Sequence, residues 1–313
     1  MERRQFIKNS VLGSFVVSGL AVLFLTTSCN SPYSKVDQLK DNFWLWGQNA
    51  GSHHINNAYN LPGVNKMEPR EGCEFLNIDK CCRVAMGLGP FPPYDDEAEK
   101  LKDLKEVVWS GIGTKGLLKP EDNKSDLEEI FKIARIHPNI TGVVMDDFFR
   151  GKSIPWRLSY EYVKEMSDAL HKFELRPLDF WLVWYTTELD LEVAKYIDLF
   201  DVIKLWTMKG SDLVHMDDNI SKFIRRTPGK RRLAGCYMWN YREKKPFTMC
   251  QMKYQLDIYY NWIKKGGIEG IVFCSNCIAD IGLETVEYIR KWIAEVGLEN
   301  LKNRVVERNN LFW

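Results

Sequence analysis

The sequence lacks the features that would place it in several large functional classes. Its 313 residues carry a formal net charge of only +1, so no excess of basic side chains favours nucleic acid as a partner. We find no heptad pattern, low-complexity tract or internal repeat. No glycine-rich phosphate loop follows the first predicted strand, which argues against a doubly wound nucleotide-binding fold.

Metal-binding patterns are missing as well. The 8 cysteines and 5 histidines include no CxxC pair with a histidine partner, so a zinc ribbon is excluded. A metal-dependent hydrolase barrel needs His-x-His on its first strand and further histidines at later strand ends. Here His53 and His54 lie in a predicted loop, whereas His137, His171 and His215 precede a strand or lie in helical patterns. We interpret them as surface or capping residues, expect neither metal nor cofactor, and rank a metal-dependent hydrolase last.

The first 28 residues are predicted to be a signal segment that is not part of the fold. The stretch Arg3-Arg4-Gln5-Phe6-Ile7-Lys8 resembles the twin-arginine export motif, and an apolar run from Val11 to Leu25 follows it. Leu25-Thr-Thr-Ser-Cys29 resembles a lipoprotein processing site, which implies that Cys29 carries a lipid. An uncleaved anchor helix is the alternative interpretation.

This interpretation divides the chain into three parts. Residues 1–28 are the twin-arginine lipoprotein signal, residues 29–42 are a tether, and residues 43–313 are the folded domain. We expect an exported protein held to the membrane by its N-terminal lipid, on the periplasmic face or the outer-membrane surface. The sequence does not indicate an oligomeric state.

The folded part alternates between short apolar runs and helical patterns. Hydrophobic residues make up 45% of the sequence, which is enough for a sizeable core. Eight β–α units in about 285 residues predict a single (β/α)8 TIM barrel of the α/β class, rather than an open parallel sheet. The strands are predicted at Phe43–Trp46, Cys82–Met86, Val107–Ile112, Ile140–Val144, Phe180–Tyr185, Val202–Thr207, Leu233–Trp239 and Ile268–Cys274.

Two adjacent carboxylates, Asp146 and Asp147, follow the fourth predicted strand. Burying them together is costly, and their repulsion favours a proton on one of the two. That arrangement suits a site that needs an acid and an anion side by side, although an aspartate after a strand can also cap the next helix. Because successive strand residues point to opposite faces, both side chains reach the barrel mouth only if the strand ends or bulges there.

The other predicted strand ends are rich in aromatic side chains. In a TIM barrel, the residues at the C-terminal ends of the strands form the functional face. Tryptophan and tyrosine offer flat apolar platforms with polar edges, which match the faces of sugar rings. The candidate sugar-binding residues are Trp46, Trp109, Trp184, Tyr185, Glu188, Trp206, Tyr237, Trp239, Asn240 and Asn276.

This arrangement resembles glycoside-hydrolase TIM barrels, in particular the chitinase, hexosaminidase and O-GlcNAcase group, whose acids lie at the end of the fourth strand. The O-GlcNAcase-type enzymes carry an adjacent aspartate pair there. The resemblance implies that Asp146 orients the acetamide group of the substrate, which acts as the nucleophile, and that Asp147 protonates the leaving oxygen. The chitinase Asp-x-Asp-x-Glu pattern is absent. The segment Gly235-Cys-Tyr-Met-Trp-Asn-Tyr241 also resembles secreted barrel proteins of glycan-degrading bacteria.

The sequence therefore supports two hypotheses about the function. The first is a glycoside hydrolase acting on a glycan, with an N-acetylhexosaminide as a candidate substrate. The second is a non-catalytic, surface-tethered carbohydrate-binding barrel, in which the same aromatic residues serve without a catalytic pair.

Lys204 inside the sixth predicted strand is unusual, because a lysine in a buried strand needs a carboxylate partner such as Asp146.

Overall fold

The chain folds into a closed barrel of eight parallel strands in sequential order, which confirms the predicted (β/α)8 fold. This computed structural model describes residues 38–112, 127–149 and 158–301. Strands β1 to β8 are Phe43–Gly47, Lys80–Arg83, Glu106–Ile112, Ile140–Met145, Asp179–Tyr185, Val202–Trp206, Arg231–Tyr237 and Gly270–Cys274.

A helix follows every strand and packs on the outside of the barrel, as parallel strand connections require. The α-helices α1 to α8 are Pro69–Leu76, Asp95–Lys100, Leu127–Ile136, Tyr160–His171, Ala194–Ile197, Met216–Arg226, Met249–Lys264 and Glu284–Val296. Local sequence explains several starts: Ser159 and Thr248 cap α4 and α7 by accepting the backbone N–H groups of Tyr162 and Gln251. Pro69 opens α1 at a position where a missing N–H costs nothing.

The strand register separates the barrel interior from the helix-facing side. Trp44 and Trp181 meet across the interior with ring centroids 4.8 Å apart. Residues paired in register with them therefore also point inward, and their sequence neighbours point toward the helices. Following the register to the C-terminal end of each strand identifies eight inward-facing residues at the mouth: Trp46, Cys82, Ser110, Asp146, Tyr185, Trp206, Tyr237 and Cys274.

Two strands lie earlier in the sequence than the apolar pattern predicts. Strand β2 begins at Lys80 and ends at Arg83, whereas the pattern placed it at Cys82–Met86. Strand β7 ends at Tyr237 instead of Trp239. In both strands the first residues are charged, because their side chains reach partners at the base of the barrel. Lys80, for example, pairs with Glu106 at 2.5 Å.

The predicted tether overlaps the fold at its C-terminal end. Residues Leu39–Asn42 form a 3-10 helix, and Leu39 is fully buried. The backbone N–H groups of Leu39 and Lys40 donate to the carbonyl oxygens of Glu299 and Gly297, so this turn closes the barrel base beside α8. The predicted signal segment and Cys29 lie outside the described residues, and no described helix is both long and apolar enough to cross a bilayer.

The close fit between Gly235 and Trp206 fixes the floor of the mouth. A side-chain carbon added at Gly235 of β7 would overlap the indole of Trp206 on β6. Glycine is therefore the residue that lets this indole lie flat against the neighbouring strand.

We predict that Gly235→Ala lowers the free energy of unfolding by about 1–3 kcal/mol, because the indole must leave its position. Denaturant unfolding of the purified protein measures this. The same substitution in a Trp206→Val background should cost less, since the overlapping ring is gone. An equal cost in both backgrounds would contradict the steric explanation.

Candidate active site

The two aspartates after β4 reach the same region by different backbone conformations. Asp146 continues the inward-facing row of β4 and is 4% exposed. Asp147 has a φ of 48°, in the left-handed region that non-glycine residues seldom adopt, so the strand has already ended there. Its side chain is half-buried, and the Tyr185 hydroxyl donates a hydrogen bond to Asp147 Oδ1 at 2.7 Å. The left-handed turn therefore brings both carboxylates to the mouth.

Tyrosines surround the carboxylate pair. Burial raises the pKa of Tyr185 well above its usual range, and Tyr237, Asp146 and Asp147 raise it further. Burial likewise raises the pKa of Tyr237, with contributions from Cys274 and both aspartates. Since both carboxylates act on both phenols, the four side chains form one cluster. At neutral pH the phenols keep their protons and can donate hydrogen bonds.

Indole and phenol rings extend this cluster around the mouth. Trp206 packs on Tyr237 with centroids 4.7 Å apart and on Trp46 at 5.5 Å. Tyr241 contacts Tyr237 at 5.2 Å and Tyr59 at 4.9 Å. The Trp206 indole N–H is buried and has no hydrogen-bond partner among the described residues. The wall of the mouth on the β1, β6 and β7 sides is therefore an aromatic surface with hydroxyl groups.

Lys204 lies beneath the aromatic cluster and is completely buried. Its Nζ atom is 3.6 Å from Cys82 Sγ and 4.1 Å from the centroid of the Trp46 ring. Burial lowers the pKa of Lys204, while the neighbouring Cys82 thiol, Asp146 and Cys274 oppose that shift. Asp146 thus acts on this lysine through its charge, and the ion pair expected from the sequence stays a prediction.

A buried imidazole supports the outer part of the cluster. His53 Nδ1 is 2.8 Å from the Tyr241 hydroxyl, and His53 Nε2 is 2.5 Å from Gln48 Oε1. Because an amide oxygen only accepts, Nε2 carries the proton and Nδ1 accepts from Tyr241. Burial, and then the charge of His54, lower the pKa of His53 to about 3. The interpretation of His53 as a surface or capping residue is therefore wrong.

Not every candidate residue faces the mouth. Trp109 and Trp184 are buried on the outer side of the barrel, where Trp109 packs on Tyr94 and Trp184 on Phe223 of α6. The alternation of strand side chains explains this, since each occupies the phase opposite to the inward row. Neither indole is brought near the carboxylates as a sugar platform.

Three other candidates hold the loops in place. The Glu188 carboxylate accepts the backbone N–H of Tyr185. Asn240 binds the Glu243 side chain within a turn, and Asn276 binds backbone groups of Gln48 and Met67. These contacts occupy their polar atoms, so we assign them to scaffolding. Trp239 is also buried, and its indole N–H donates to the Tyr59 carbonyl at 3.2 Å, which fixes the loop that carries Tyr59.

The described carboxylates and thiols form no metal site. No group of three histidine, cysteine, aspartate or glutamate side chains within residues 38–112, 127–149 and 158–301 is arranged to hold a metal ion. The cysteines in these ranges are free thiols. A cleft of about 310 Å³ lies at the opposite end of the barrel, next to Asp41 and Ile78, and is separate from the carboxylate pair.

Comparison with known proteins identifies the fold. No protein-family model and no curated protein sequence matches the chain. Among solved structures, a candidate alpha-L-fucosidase from Bacteroides thetaiotaomicron has a TM-score of 0.50 and 10% identity, covering 91% of this chain and 100% of its own. A mutant tryptophan synthase alpha-subunit from Pyrococcus furiosus has a TM-score of 0.49 and 10% identity, covering 83% of this chain and 98% of its own.

A third similar structure is the beta-glucuronidase of Ruminococcus gnavus, with a TM-score of 0.43 and 12% identity over 64% of this chain. This chain spans 38% of the length of that enzyme. Glycoside hydrolases thus stand among the structural neighbours, together with an enzyme of a different kind. At identities this low the comparisons bear on the barrel alone, and a function has to be argued from the residues of the site.

The buried neutral His53 predicts a loss of stability in acid. The unfolded chain binds a proton at this histidine below pH 6.5, whereas the folded chain does not until about pH 3, so stability falls as the pH drops through that window. For His53→Gln we expect the loss of unfolding free energy between pH 7 and pH 5 to shrink by about 1–2 kcal/mol. Urea unfolding at both pH values measures it. The exposed His215→Gln serves as the control, and an equal change in both variants would refute the assignment.

Proposed function

We propose that this protein is a glycoside hydrolase whose catalytic pair is Asp146 and Asp147. The observation that carries the proposal is the convergence of both carboxylates on Tyr185 and Tyr237 at the C-terminal end of the barrel. Two carboxyl groups beside an aromatic surface are the parts that glycosidic bond cleavage needs. The glycoside hydrolases among the structural neighbours use the same barrel, which is compatible with this chemistry.

The two carboxylates differ in access, and this difference supports distinct roles. Asp147 is half-buried, so it can reach the leaving oxygen of a bound glycan and act as the general acid. Asp146 lies deeper, within the electrostatic influence of Lys204, where an anion can hold and orient a polar group of the substrate. Tyr185 keeps Asp147 in place through its hydroxyl.

The candidate substrate is an N-acetylhexosaminide cleaved with help from its own acetamide group. A retaining enzyme otherwise needs a carboxylate nucleophile about 5 Å from the acid. Within the described part of the chain, the nearby glutamates have structural tasks: Glu188 binds the Tyr185 backbone, and Glu243 pairs with Asn240 and Lys245. An acetamide oxygen would supply the missing nucleophile, and Asp146 would orient its N–H.

A carbohydrate-binding barrel without activity is the second candidate. The burial of Asp146 favours it, because a binding protein needs no direct access to that carboxylate. The aromatic wall of Trp206, Tyr237 and Tyr59 would serve a binder equally well. Product formation from a bound glycan separates the two candidates.

We expect Asp146→Asn and Asp147→Asn each to lower kcat/KM by about 10²–10⁴-fold, because each removes one carboxyl group of the pair. The assay is turnover by the wild type and both variants on a panel of aryl glycosides and oligosaccharides, including N-acetylhexosaminides. Unchanged melting temperatures establish that the variants fold. Trp184→Phe, on the helix-facing side, is the matched control and should keep its activity.

The substrate panel distinguishes the glycoside hydrolase from the carbohydrate-binding barrel. A wild type that binds glycans without releasing product supports the binding barrel. Full activity in both aspartate variants would reject the catalytic pair, and a wild type that neither binds nor cleaves would reject both candidates.

We further propose that the chain is exported and anchored by a lipid on Cys29, as its N-terminal sequence indicates. Cys29→Ala should move the protein from the membrane fraction to the soluble fraction of the producing cells, because the site of lipid attachment is gone. Fractionation with labelled palmitate measures both location and lipid. Membrane retention of the variant together with an unlabelled wild type would contradict the proposal.

A further inference from the structure

We infer that Lys204 is a positioning residue that keeps Asp146 as the unprotonated member of the carboxylate pair. This inference rests on the proposed function, because it assigns the acid and the anion within the same site. It explains why a lysine stands in the middle of a barrel strand whose neighbours are apolar.

Burying the positive charge of Lys204 in the barrel interior costs free energy. Its side chain is fully buried, and a buried lysine needs compensation from a partner. Lys80 provides a comparison within the same barrel: it also faces the interior above an indole, 5.1 Å from the Trp44 ring, but pairs with Glu106 at the barrel base. Lys204 therefore calls for an anion at the other end of the barrel.

The surroundings of Lys204 suit a charged ammonium group. Nζ lies 4.1 Å from the centroid of Trp46 and 5.4 Å from that of Trp181, and such ring faces stabilise cations. The Cys82 thiol is a weak neutral partner, since burial raises its pKa to about 11. The rings and the thiol therefore supply no negative charge.

The strand register places Asp146 one interior layer closer to the mouth than Lys204. Met145 pairs with Leu182 and Val183 pairs with Lys204, so Asp146, one residue beyond Met145, is in register with Val183 and Lys204. Both side chains point inward, and because the strands of a barrel are tilted and staggered, in-register residues on β4 and β6 lie in neighbouring layers. The carboxylate of Asp146 is thus the anion that the register brings to the lysine.

The other titratable groups that face Asp146 and Lys204 are neutral at physiological pH. Burial raises the pKa of Cys82 on β2 and of Cys274 on β8, so both thiols stay protonated. Burial also keeps Tyr185 on β5 and Tyr237 on β7 protonated. Among the described residues of this part of the interior, Lys204 and the two aspartates are therefore the groups left that can carry a charge.

This arrangement assigns different roles to the two carboxyl groups. The ammonium group favours the anionic form of Asp146, which leaves Asp147 as the group to serve as the acid. Asp147 is the more exposed of the two and can deliver a proton to a leaving oxygen. The lysine acts through Asp146 and does not itself contact the substrate.

The test is a ¹³C NMR titration of the full chain labelled at the aspartate carboxyl carbons, with the Asp146 signal assigned by its loss in Asp146→Asn. In Lys204→Met, we expect the midpoint of Asp146 to rise by about one to three pH units, because the opposite charge is gone. Lys80→Met is the matched control, since it removes an interior lysine at the far end of the barrel, and it should leave that midpoint unchanged.

The same variant separates positioning from a structural role. Lys204→Met leaves the Asp146 carboxylate buried without its opposite charge, so it should melt lower than the wild type at neutral pH, and the difference should shrink below the raised midpoint of Asp146. A loss of melting temperature that is the same at every pH would count against the inference. If Lys204→Met does not fold, the ¹³Cε signal of Lys204 in the wild type decides, because it should respond at the midpoint of Asp146. An unchanged Asp146 midpoint, or an absent response, would overturn the inference.

The titration does not depend on turnover. If the wild type cleaves a glycan, the acid limb of kcat/KM should move in Lys204→Met to higher pH by the same amount as the Asp146 midpoint. If the wild type cleaves nothing while the midpoint still moves, the hydrolase proposal fails and the electrostatic role of Lys204 stands.

Discussion

The burial of charge inside a closed barrel is the constraint on which the rest of this site depends. Lys204 is buried among Trp46, Trp181 and Cys82, and Asp146 is buried on the inward-facing side of β4, so water cannot solvate either group freely. A barrel interior filled with branched aliphatic residues would avoid the free-energy cost of burying these charges. The proposed site rests on this burial, because buried charged groups cost stability and cluster at functional sites.

The two neighbouring aspartates reach one site because the backbone changes its conformation between them. A straight strand would send Asp147 toward the helices, as it does Met145 and Leu182. The left-handed conformation at Asp147 redirects its side chain to Tyr185. Such conformations persist where the surrounding contacts hold them, and here the hydrogen bond and the burial of Phe148 and Phe149 do so.

The fold narrows the possible functions less than the mouth does. Barrels of this kind carry many unrelated activities, so the fold alone does not identify a function, and the proposal depends on the residues of the mouth. In this protein the mouth combines an acid pair, protonated phenols and an aromatic wall, with a neutral imidazole behind them. That set of groups is what the proposed glycan site would use to bind a sugar ring and to transfer a proton.

The sequence by itself determined the eight strand–helix units, the aspartate pair at the end of β4 and the unusual lysine in β6, because local hydrophobic period and charge carry that information. Only the tertiary structure decided which aromatic residues share the mouth. A shift of one position turns a strand side chain from the axis to the helices, so Trp184 packs on α6 while Tyr185 faces the carboxylates. Loop residues such as His53 and Tyr59 joined the site through contacts distant in sequence, which no local period encodes.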